Sequence, residues 1–311
     1  MSKILTVFGA TGIQGGSVIH AILADKALSR EFTIRGITRD VNKLAAQALA
    51  AKGVQVVKAD MSSSQEAHPA VQNAHTIFLV TNFWESMSSA TEIAQGKAVT
   101  DAAKAAGVKH IIFSSLLHVS DASNGRLSHV THFDSKAEIE TYIRASGVPS
   151  TFVQPGLYMT GLFGFIRQNP EGKDKGLVWA MPEGVKAQEA KMPLLDAERD
   201  TGLFVRAAVR HFPETEGRRI LAATEYYTPA RIMAELEEVT GKKVSYMETP
   251  HDAFKTFLPK AAAEELFENM MLLQDPGYYA GADLQPSLQL LGDDKPITWK
   301  AFAQQNKDKW T

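Results

Sequence analysis

Three glycines near the amino terminus have the spacing of a nucleotide-phosphate site. They lie in Gly9-Ala-Thr-Gly12-Ile-Gln-Gly15, after the apolar run Ile4–Phe8 and before a helical pattern of apolar residues. A strand, a glycine turn and a helix in this order present backbone N–H groups and the positive end of a helix dipole to an anion. Gly9 would make the tight turn, Gly12 would let a pyrophosphate approach, and Gly15 would allow close packing. The motif predicts a dinucleotide site formed by Gly9, Ala10, Thr11, Gly12, Ile13, Gln14 and Gly15.

Two basic residues after the second apolar run indicate which dinucleotide binds. Arg39 directly follows Phe32–Thr38, and Lys43 lies one turn into the next helical pattern. At this position an acid hydrogen-bonds the free 2′-hydroxyl of NAD, whereas an arginine pairs with the 2′-phosphate of NADP. Asp40 complicates this choice, and we interpret it as a cap of the next helix. The pattern therefore predicts NADP(H).

A parallel sheet must hold these residues, and the chain alternates strand and helix patterns up to about residue 156. Asp60 and Met61 end the third strand, near the adenine, and Thr81, Asn82 and Phe83 end the fourth, near the phosphates and the nicotinamide-side ribose. Six such β/α units predict an α/β doubly wound Rossmann fold with its ligand at the carboxyl ends of the strands. The predicted strands are 4–8, 32–38, 55–60, 76–81, 110–114 and 150–153, and the predicted helices are 41–52, 65–74, 89–106 and 133–145.

From residue 157 onward the regular alternation stops. We predict a Rossmann domain over residues 1–156 and a smaller, mostly helical lobe over residues 157–311 that covers the strand ends. Some segments of this lobe could return to the Rossmann sheet. Its predicted strands are 177–181 and 217–224, and its predicted helices are 198–211, 229–240, 259–273 and 297–310.

Composition excludes several classes of protein. The 311 residues, 44% hydrophobic and 22% charged, are typical of a globular chain. The absence of cysteine excludes disulfides, thiolate catalysis and cysteine-bound zinc, and it fits a cytoplasmic or nuclear location. A net charge of −2 gives no electrostatic footprint for direct nucleic-acid binding. We expect no membrane span, because no apolar run approaches roughly 20 residues, and no signal peptide, because a strand starts almost at once.

Five segments of the chain resemble the NmrA-like family, atypical members of the short-chain dehydrogenase/reductase superfamily, and in particular its HSCARG-like redox-sensor branch. They are VFGATGIQGGSV, ITRDVNK, FLVTNFWES, IIFSS and HFDSKAEIETYIRASGVPSTFVQPGLY. TNFWES and HFDSK are specific to that branch. The resemblance implies an NADP(H)-preferring Rossmann domain with a small C-terminal lobe. It also implies a sensor of the NADPH/NADP balance that contacts a protein partner, such as a GATA-type transcription factor in fungal members.

Carried over by position, the resemblance also implies a set of cofactor-binding residues. One departure is that the branch often has a lysine in the helix after TNFWES, where this chain has Ala94 and, one turn later, Lys97. The implied residues are Gly9–Gln14, Arg39, Lys43, Asp60, Met61, Thr81, Asn82, Phe83, Lys136, Pro155, Gly156, Leu157 and Tyr158.

The position where the resemblance implies catalysis departs from the catalytic pattern. In catalytic short-chain reductases a tyrosine lies four residues before such a lysine, on the same helical face, and the ammonium lowers the pKa of the phenol. Here His132 occupies that position before Lys136. Ser114 and Ser115, at the end of the fifth strand, stand where a catalytic serine would be. The lysine and a serine are present, whereas the usual acid is missing.

Three interpretations of this site stay open. Lys136 could only anchor the nicotinamide ribose in a non-catalytic sensor, the interpretation that the missing tyrosine favours. Alternatively, a neutral His132 could protonate a substrate, since imidazole beside an ammonium keeps one donor N–H. In the third interpretation Tyr158 supplies the proton from another direction. The last two make the protein an NADPH-dependent reductase of a quinone, enone, aldehyde or imine.

The remaining polar features have ordinary alternatives. His129-x-x-His132 could place two imidazoles on one helical face, but without a third ligand we expect no metal site. The loop over residues 118–131 is either a solvated connection or a lid or partner surface. Phe83-Trp84 could line a pocket beside the nicotinamide or form a corner of the core. The sequence leaves the oligomeric state open, with a homodimer as one option.

Overall fold

The computed structural model describes residues 2–169 and 176–310, and its strands form one large and two small sheets. Seven parallel strands make the large sheet, in the order β11-β6-β5-β4-β1-β2-β3. The strands are β1 (Lys3–Val7), β2 (Phe32–Thr38), β3 (Gln55–Lys58), β4 (Thr76–Leu79), β5 (His110–Ser114), β6 (Ser150–Pro155), β7 (Leu157–Tyr158), β8 (Ile166–Gln168), β9 (Leu177–Pro182), β10 (Met192–Leu195), β11 (Arg219–Ala222), β12 (Tyr226–Tyr227) and β13 (Val244–Thr249).

Helices cover both faces of the large sheet. On one face α1 packs against α10, and on the other α4, α6 and α8 pack together. The helices are α1 (Ile13–Ala24), α2 (Leu28–Glu31), α3 (Leu44–Ala51), α4 (Ser64–Val71), α5 (Phe83–Ser86), α6 (Ser89–Ala105), α7 (Val119–Ala122), α8 (Thr131–Ser146), α9 (Leu162–Phe165), α10 (Ala197–Arg210), α11 (Pro229–Thr240), α12 (His251–Lys255), α13 (Ala263–Leu272), α14 (Gln285–Gln289) and α15 (Trp299–Gln305).

The central strands β4 and β5 are buried along their whole length. Helices cover both faces of a doubly wound sheet, which is why the sequences of these strands are mostly apolar. The contact between α1 and α10 is close: a Cβ on Gly202 would lie 2.2 Å from the Ser17 carbonyl oxygen. The Gly202 N–H donates to Ser17 Oγ at 2.9 Å. Glycine at position 202 therefore lets a helix from the second half of the chain pack onto the helix that follows the glycine turn.

The second half of the chain forms a lobe with its own apolar core. Its two small sheets have the orders β12-β10-β7 and β13-β9-β8. Trp179, Trp299 and Trp310 are buried together with side chains of α11, α13 and α15. In the described part of the chain, no helix combines the length and the apolar character needed to cross a bilayer.

The structure confirms the predicted fold class, a doubly wound Rossmann fold with a smaller and largely helical C-terminal lobe. The seventh strand of the sheet, β11, comes from the second half of the chain, and α10 from the same half packs on the sheet. The lobe therefore does return segments to the Rossmann layers. A domain boundary at residue 156 stays a prediction.

Candidate functional site

The glycine turn connects β1 to α1 in the way that a phosphate site requires. Gly9 adopts a φ of +62°, in the left-handed region that glycine tolerates best. A Cβ on Gly15 would lie 2.2 Å from the Gly9 carbonyl oxygen, so only glycine fits against the turn. Gly12 is the N-cap of α1 and makes no side-chain capping bond. Because the first N–H groups of an α-helix have no intrahelical acceptor, this end of α1 offers donors to an anion.

A cleft of about 790 Å³ opens at the carboxyl ends of the strands, above this turn. It lies where the strand order reverses, since β1 is flanked by β2 on one side and β4 on the other. Of the residues predicted from the sequence, those that line it are Gly9, Thr11, Gly12, Ile13, Gln14, Gly15, Arg39, Lys43, Asp60, Met61, Thr81, Asn82, Phe83, His132, Lys136, Pro155, Gly156, Leu157 and Tyr158.

Two predicted site residues do not line the cleft. Ala10 is buried in the core between β1 and α1. Ser115 is fully buried, and its Oγ donates to Glu140 Oε2 at 2.5 Å. Glu140 also accepts from Arg144 and Arg219, so Ser115 belongs to a network around the buried Glu140 carboxylate. The expectation that Ser115 stands beside a substrate is therefore not met by the position of its side chain.

The outer end of the cleft carries an exposed ion pair. The Arg39 guanidinium donates to the Glu85 carboxylate, and the two side chains are 64% and 49% exposed. The hydrogen bond to Glu85 raises the pKa of Arg39. Asp40 does not cap α3: its Oδ1 accepts the Asn42 N–H at 2.9 Å, which shapes the turn before the helix. Arg39 and Lys43 thus present cations to the cleft beyond the end of β2.

The inner end of the cleft carries a buried ion pair. Lys136 Nζ donates to Glu92 Oε1, and the side chains are only 10% and 0% exposed. Thr81 Oγ1 donates to the same carboxylate oxygen at 2.7 Å, and Ser135 Oγ donates to the other one. Burial lowers the pKa of Lys136, and the contact with Glu92 opposes that shift. Glu92 fixes the ammonium between α6 and α8, where Lys136 lines the cleft.

His132 is held by groups from the C-terminal lobe. Its Nδ1 lies 2.6 Å from Glu265 Oε1, and its backbone N–H donates to the same oxygen at 2.7 Å. The Asn269 amide nitrogen lies 3.2 Å from His132 Nε2. Because a carboxylate only accepts and an amide nitrogen only donates, Nδ1 carries the hydrogen of the neutral ring and Nε2 accepts. This arrangement leaves no ring N–H directed at a substrate.

Tyr158 presents a hydroxyl to the cleft from the segment after β6. Gln14 Nε2, on the glycine turn, donates to the Tyr158 hydroxyl oxygen at 2.7 Å. Burial raises the pKa of Tyr158 to about 12, against a smaller opposite effect of this hydrogen bond. The phenol is therefore protonated at neutral pH, and its own O–H proton is available to an acceptor in the cleft.

Apolar side chains from both halves of the chain surround the inner end. Sequence reasoning missed those from the lobe, because their α-helical patterns look like ordinary core. It also missed Gln95, the α6 side chain that lines the cleft, whereas Lys97 lies over the Tyr142 ring, 5.2 Å from its centroid. The apolar and aromatic lining residues are Phe83, Trp84, Leu116, Phe133, Leu157, Phe165, Leu266, Met270 and Tyr278.

The loop over residues 118–131 is attached to α13 and the turn after it. The Arg126 guanidinium pairs with Asp275, and the Thr131 hydroxyl donates to Glu265 at 3.1 Å. His129 Nδ1 lies 2.7 Å from Glu268 Oε1. Because His129 and His132 pair with different carboxylates, their imidazoles do not converge on one point.

The fold and the cleft together define a dinucleotide-binding protein of the Rossmann type. The chain belongs to the NmrA-like family, whose model matches residues 1–303. It is 32% identical over 261 residues to the NmrA-like family domain-containing oxidoreductase ptmS of Penicillium ochrochloron, covering 78% of this chain and 75% of that one. It is also 32% identical over 261 residues to the oxidoreductase malD of Malbranchea aurantiaca, covering 79% and 75%.

Solved structures with this fold contain nicotinamide dinucleotides. NmrA, a negative transcriptional regulator in complex with NADP, has a TM-score of 0.80 at 23% identity, covering 97% of this chain and 94% of that one. The Escherichia coli NADPH-dependent quinone oxidoreductase QOR2, complexed with NADPH, has a TM-score of 0.77 at 24% identity, covering 98% and 99%. Citrobacter sp. triphenylmethane reductase complexed with NADP(H) has a TM-score of 0.77 at 22% identity, covering 97% of this chain and 99% of that one. The predicted cofactor class is the one that these structures contain.

Proposed function

We propose that this protein is an NADPH-dependent reductase of a small apolar acceptor, such as a quinone or an enone. The observation that carries the proposal is the apolar part of the cleft beside Lys136 and Tyr158. We call it the chamber, and its lining includes Trp84, Leu116, Phe133, Leu157, Phe165, Leu266, Met270 and Tyr278. A cleft that held only the dinucleotide would not need apolar side chains of the lobe around its inner end. Binding of a planar apolar substrate in this chamber would be favourable, because the apolar surface of the substrate is removed from water.

The donors along the cleft fit NADP(H). The amino end of α1 would receive the pyrophosphate, and Arg39 with Lys43 would receive the 2′-phosphate. Lys136 would hold the nicotinamide ribose, since its ammonium lines the cleft at the buried end. NADPH supplies a hydride when bound. The chain's own residues then have to position the acceptor and provide a proton where the product needs one.

Tyr158 is the better candidate for a proton donor. Its hydroxyl hydrogen is not used by Gln14, which donates to the oxygen. His132, by contrast, has both ring nitrogens engaged by Glu265 and Asn269. A quinone would need no protein donor, because its reduced form is a stabilised phenolate that takes a proton from water. An aldehyde would need one, because its reduced form is a strongly basic alkoxide.

A panel of acceptors tests the proposal. NADPH absorbance would be followed with a quinone, an enone, an aldehyde and an imine, for the unchanged chain and for the variants His132→Ala and Tyr158→Phe. We expect turnover of at least the quinone or the enone, which His132→Ala lowers only modestly. An absence of turnover across the panel, with NADPH bound in equal molar amount, would contradict the proposal.

A second candidate, a sensor of the NADPH/NADP balance that acts on a protein partner, is supported by a different observation. Glu85 and Trp84 are neighbours in α5: Glu85 pairs with Arg39, and the Trp84 ring lies 4.9 Å from the His132 ring. His132 in turn binds Glu265 of the lobe. The 2′-phosphate at Arg39 is the same in NADP and NADPH, so the two forms would be distinguished by their nicotinamide rings, where Trp84 and His132 line the cleft. A ring that contacted these side chains could act on the lobe through Glu265, if the two cofactor forms differ in affinity for two conformations.

Sedimentation of the full chain with no cofactor, with NADP and with NADPH tests the sensor. A sensor requires that the two cofactor forms give different conformations or oligomeric states. Identical profiles in all three samples would count against it. If it is a sensor, its partner would be a protein such as a transcription factor in the cytoplasm or nucleus.

A further inference from the structure

We propose a second binding site beside the cleft, for the apolar tail of an elongated acceptor whose reactive head occupies the chamber. This inference deepens the proposed reductase function and rests on it. The site is a groove of about 400 Å³ between the α5 segment and the start of α13. We call it the tail groove, and its lining residues are Trp84, Met87, Pro259, Ala261, Ala262 and Leu266.

The lining of the tail groove selects hydrocarbon. All six side chains are apolar. The surface that these six side chains present to the groove offers no hydrogen-bond partner, so a polar substituent would lose contact with water there without compensation. An alkyl or isoprenoid chain needs no partner and gains from leaving water.

The tail groove adjoins the cleft. Trp84 and Leu266 line both, so these two apolar side chains lie between the groove and the chamber. A substrate held in the chamber would reach the groove by passing along Trp84 and Leu266. This adjacency, rather than the apolar character alone, is why we assign the groove to a part of the substrate.

Trp84 is fixed in place although it is exposed. Its ring lies 5.3 Å from that of Phe83 and 4.9 Å from that of His132, so it is packed on the chamber side. It is nevertheless 44% exposed, and Met87 beside it is 41% exposed. The other three tryptophans, Trp179, Trp299 and Trp310, are buried. Both exposed side chains lose contact with water if a hydrocarbon chain fills the groove.

A series of naphthoquinones with alkyl chains of increasing length tests the tail groove by binding. The full chain would be saturated with NADP, so that no reduction occurs, and quenching of tryptophan fluorescence would report quinone binding. Trp84 is the accessible fluorophore, because the other three are buried. We expect the affinity to rise about fourfold for each added methylene until the groove is filled.

Two kinds of variant locate the effect. Met87→Gln puts a polar group into the groove, and Met247→Gln is its matched control, because Met247 is 44% exposed on β13 and does not line the groove. Ala261→Phe fills the groove. We expect Met87→Gln and Ala261→Phe to remove most of the dependence on chain length while the quinone without a chain binds as before. Met247→Gln should leave the whole series unchanged.

Two results would overturn the inference. The first is an affinity that does not depend on chain length. The second is a dependence on chain length that is the same in Met87→Gln and Ala261→Phe as in the control Met247→Gln. The reductase function fails separately. If no acceptor oxidises NADPH but the dependence on chain length disappears in the groove variants, the tail groove stands and the reductase proposal falls.

Discussion

The two ends of the cleft hold ion pairs of opposite kinds. At the outer end the Arg39–Glu85 pair is more than half exposed on the arginine side, whereas at the inner end Lys136 and Glu92 are almost completely buried. An exposed pair contributes about 0–1 kcal/mol and can exchange its partner for a ligand. A buried pair is held by its surroundings, and loss of one member leaves the other uncompensated. Under the proposed function, the outer end would select the cofactor and the inner end would position it.

Removing the inner ammonium should have the largest effect. In Lys136→Met we expect turnover of every acceptor to fall at least about 100-fold, because the nicotinamide ribose loses its anchor. The free energy of unfolding, measured with urea, should fall by about 3–5 kcal/mol, because Glu92 is left buried and unpaired.

The double variant Lys136→Met with Glu92→Gln separates these two effects. It removes both charges, so most of the stability should return while turnover stays low. Recovery of turnover together with stability would show that Lys136 is only structural, and the inner end would lose the role assigned to it.

Tyr158→Phe should affect one class of acceptor at the inner end. We expect aldehyde turnover to fall about 100-fold, as for the loss of a general acid, and quinone turnover to change about twofold at most. Since burial raises the pKa of Tyr158 to about 12, the phenol keeps its proton throughout pH 7–10. Ionisation of Tyr158 should therefore cause no decline in aldehyde turnover between pH 7 and pH 10. Any decline in this range should also be present in Tyr158→Phe. A decline that Tyr158→Phe abolishes would contradict the raised pKa of Tyr158, whereas equal losses for the two acceptors would exclude Tyr158 as the donor.

Arg39→Gln should affect cofactor choice alone. Because a charge-assisted hydrogen bond to phosphate contributes about 1.5–3 kcal/mol, calorimetry should give an NADPH affinity lowered by about tenfold to 100-fold and an unchanged NADH affinity. Arg231→Gln is a matched control, since Arg231 forms a similarly exposed pair with Glu225 in the lobe. NAD binding as tightly as NADP to the unchanged chain would contradict the NADP assignment.

Glu85→Gln should have the smallest effect, and it should raise the NADPH affinity that Arg39→Gln lowers. Without the carboxylate, Arg39 no longer has a competing partner, so the NADPH affinity should rise about threefold and the NADH affinity should stay constant. The gain should shrink at high salt, which screens exposed pairs. A lower NADPH affinity would mean that Glu85 supports cofactor binding instead of competing with it.

Much of the fold could be predicted from local pattern. β2, β5 and α11 have the predicted bounds, because runs of β-branched and aromatic residues and a proline-started helix are strong local signals. The sequence analysis did not predict β13. Only its first and last residues are buried, and its partner β9 lies far away in sequence. The strand over 217–224 was predicted, but a single strand does not indicate which sheet it will join; it became β11 at the edge of the large sheet.

The site was predictable where a residue belongs to a local motif and not where it depends on packing. The glycine turn, Arg39 and Lys136 could be identified from their neighbours in sequence. Their carboxylate partners could not, because an acid on a helix looks like any surface residue. Glu92 meets Lys136 across 44 positions and Glu265 meets His132 across 133. These contacts show how Lys136 and His132 are held, which the sequence left open.

The most direct test of the central claim is the transfer of deuterium from NADPH labelled at its transferable position to an enone. If the acceptor is reduced in the cleft, the recovered product should carry one carbon-bound deuterium, and Lys136→Met should lower its rate of formation at least about 100-fold. NADPH consumption that leaves the product unlabelled, or NADPH binding with no product, would contradict a reductase in which cofactor and acceptor meet beside Lys136.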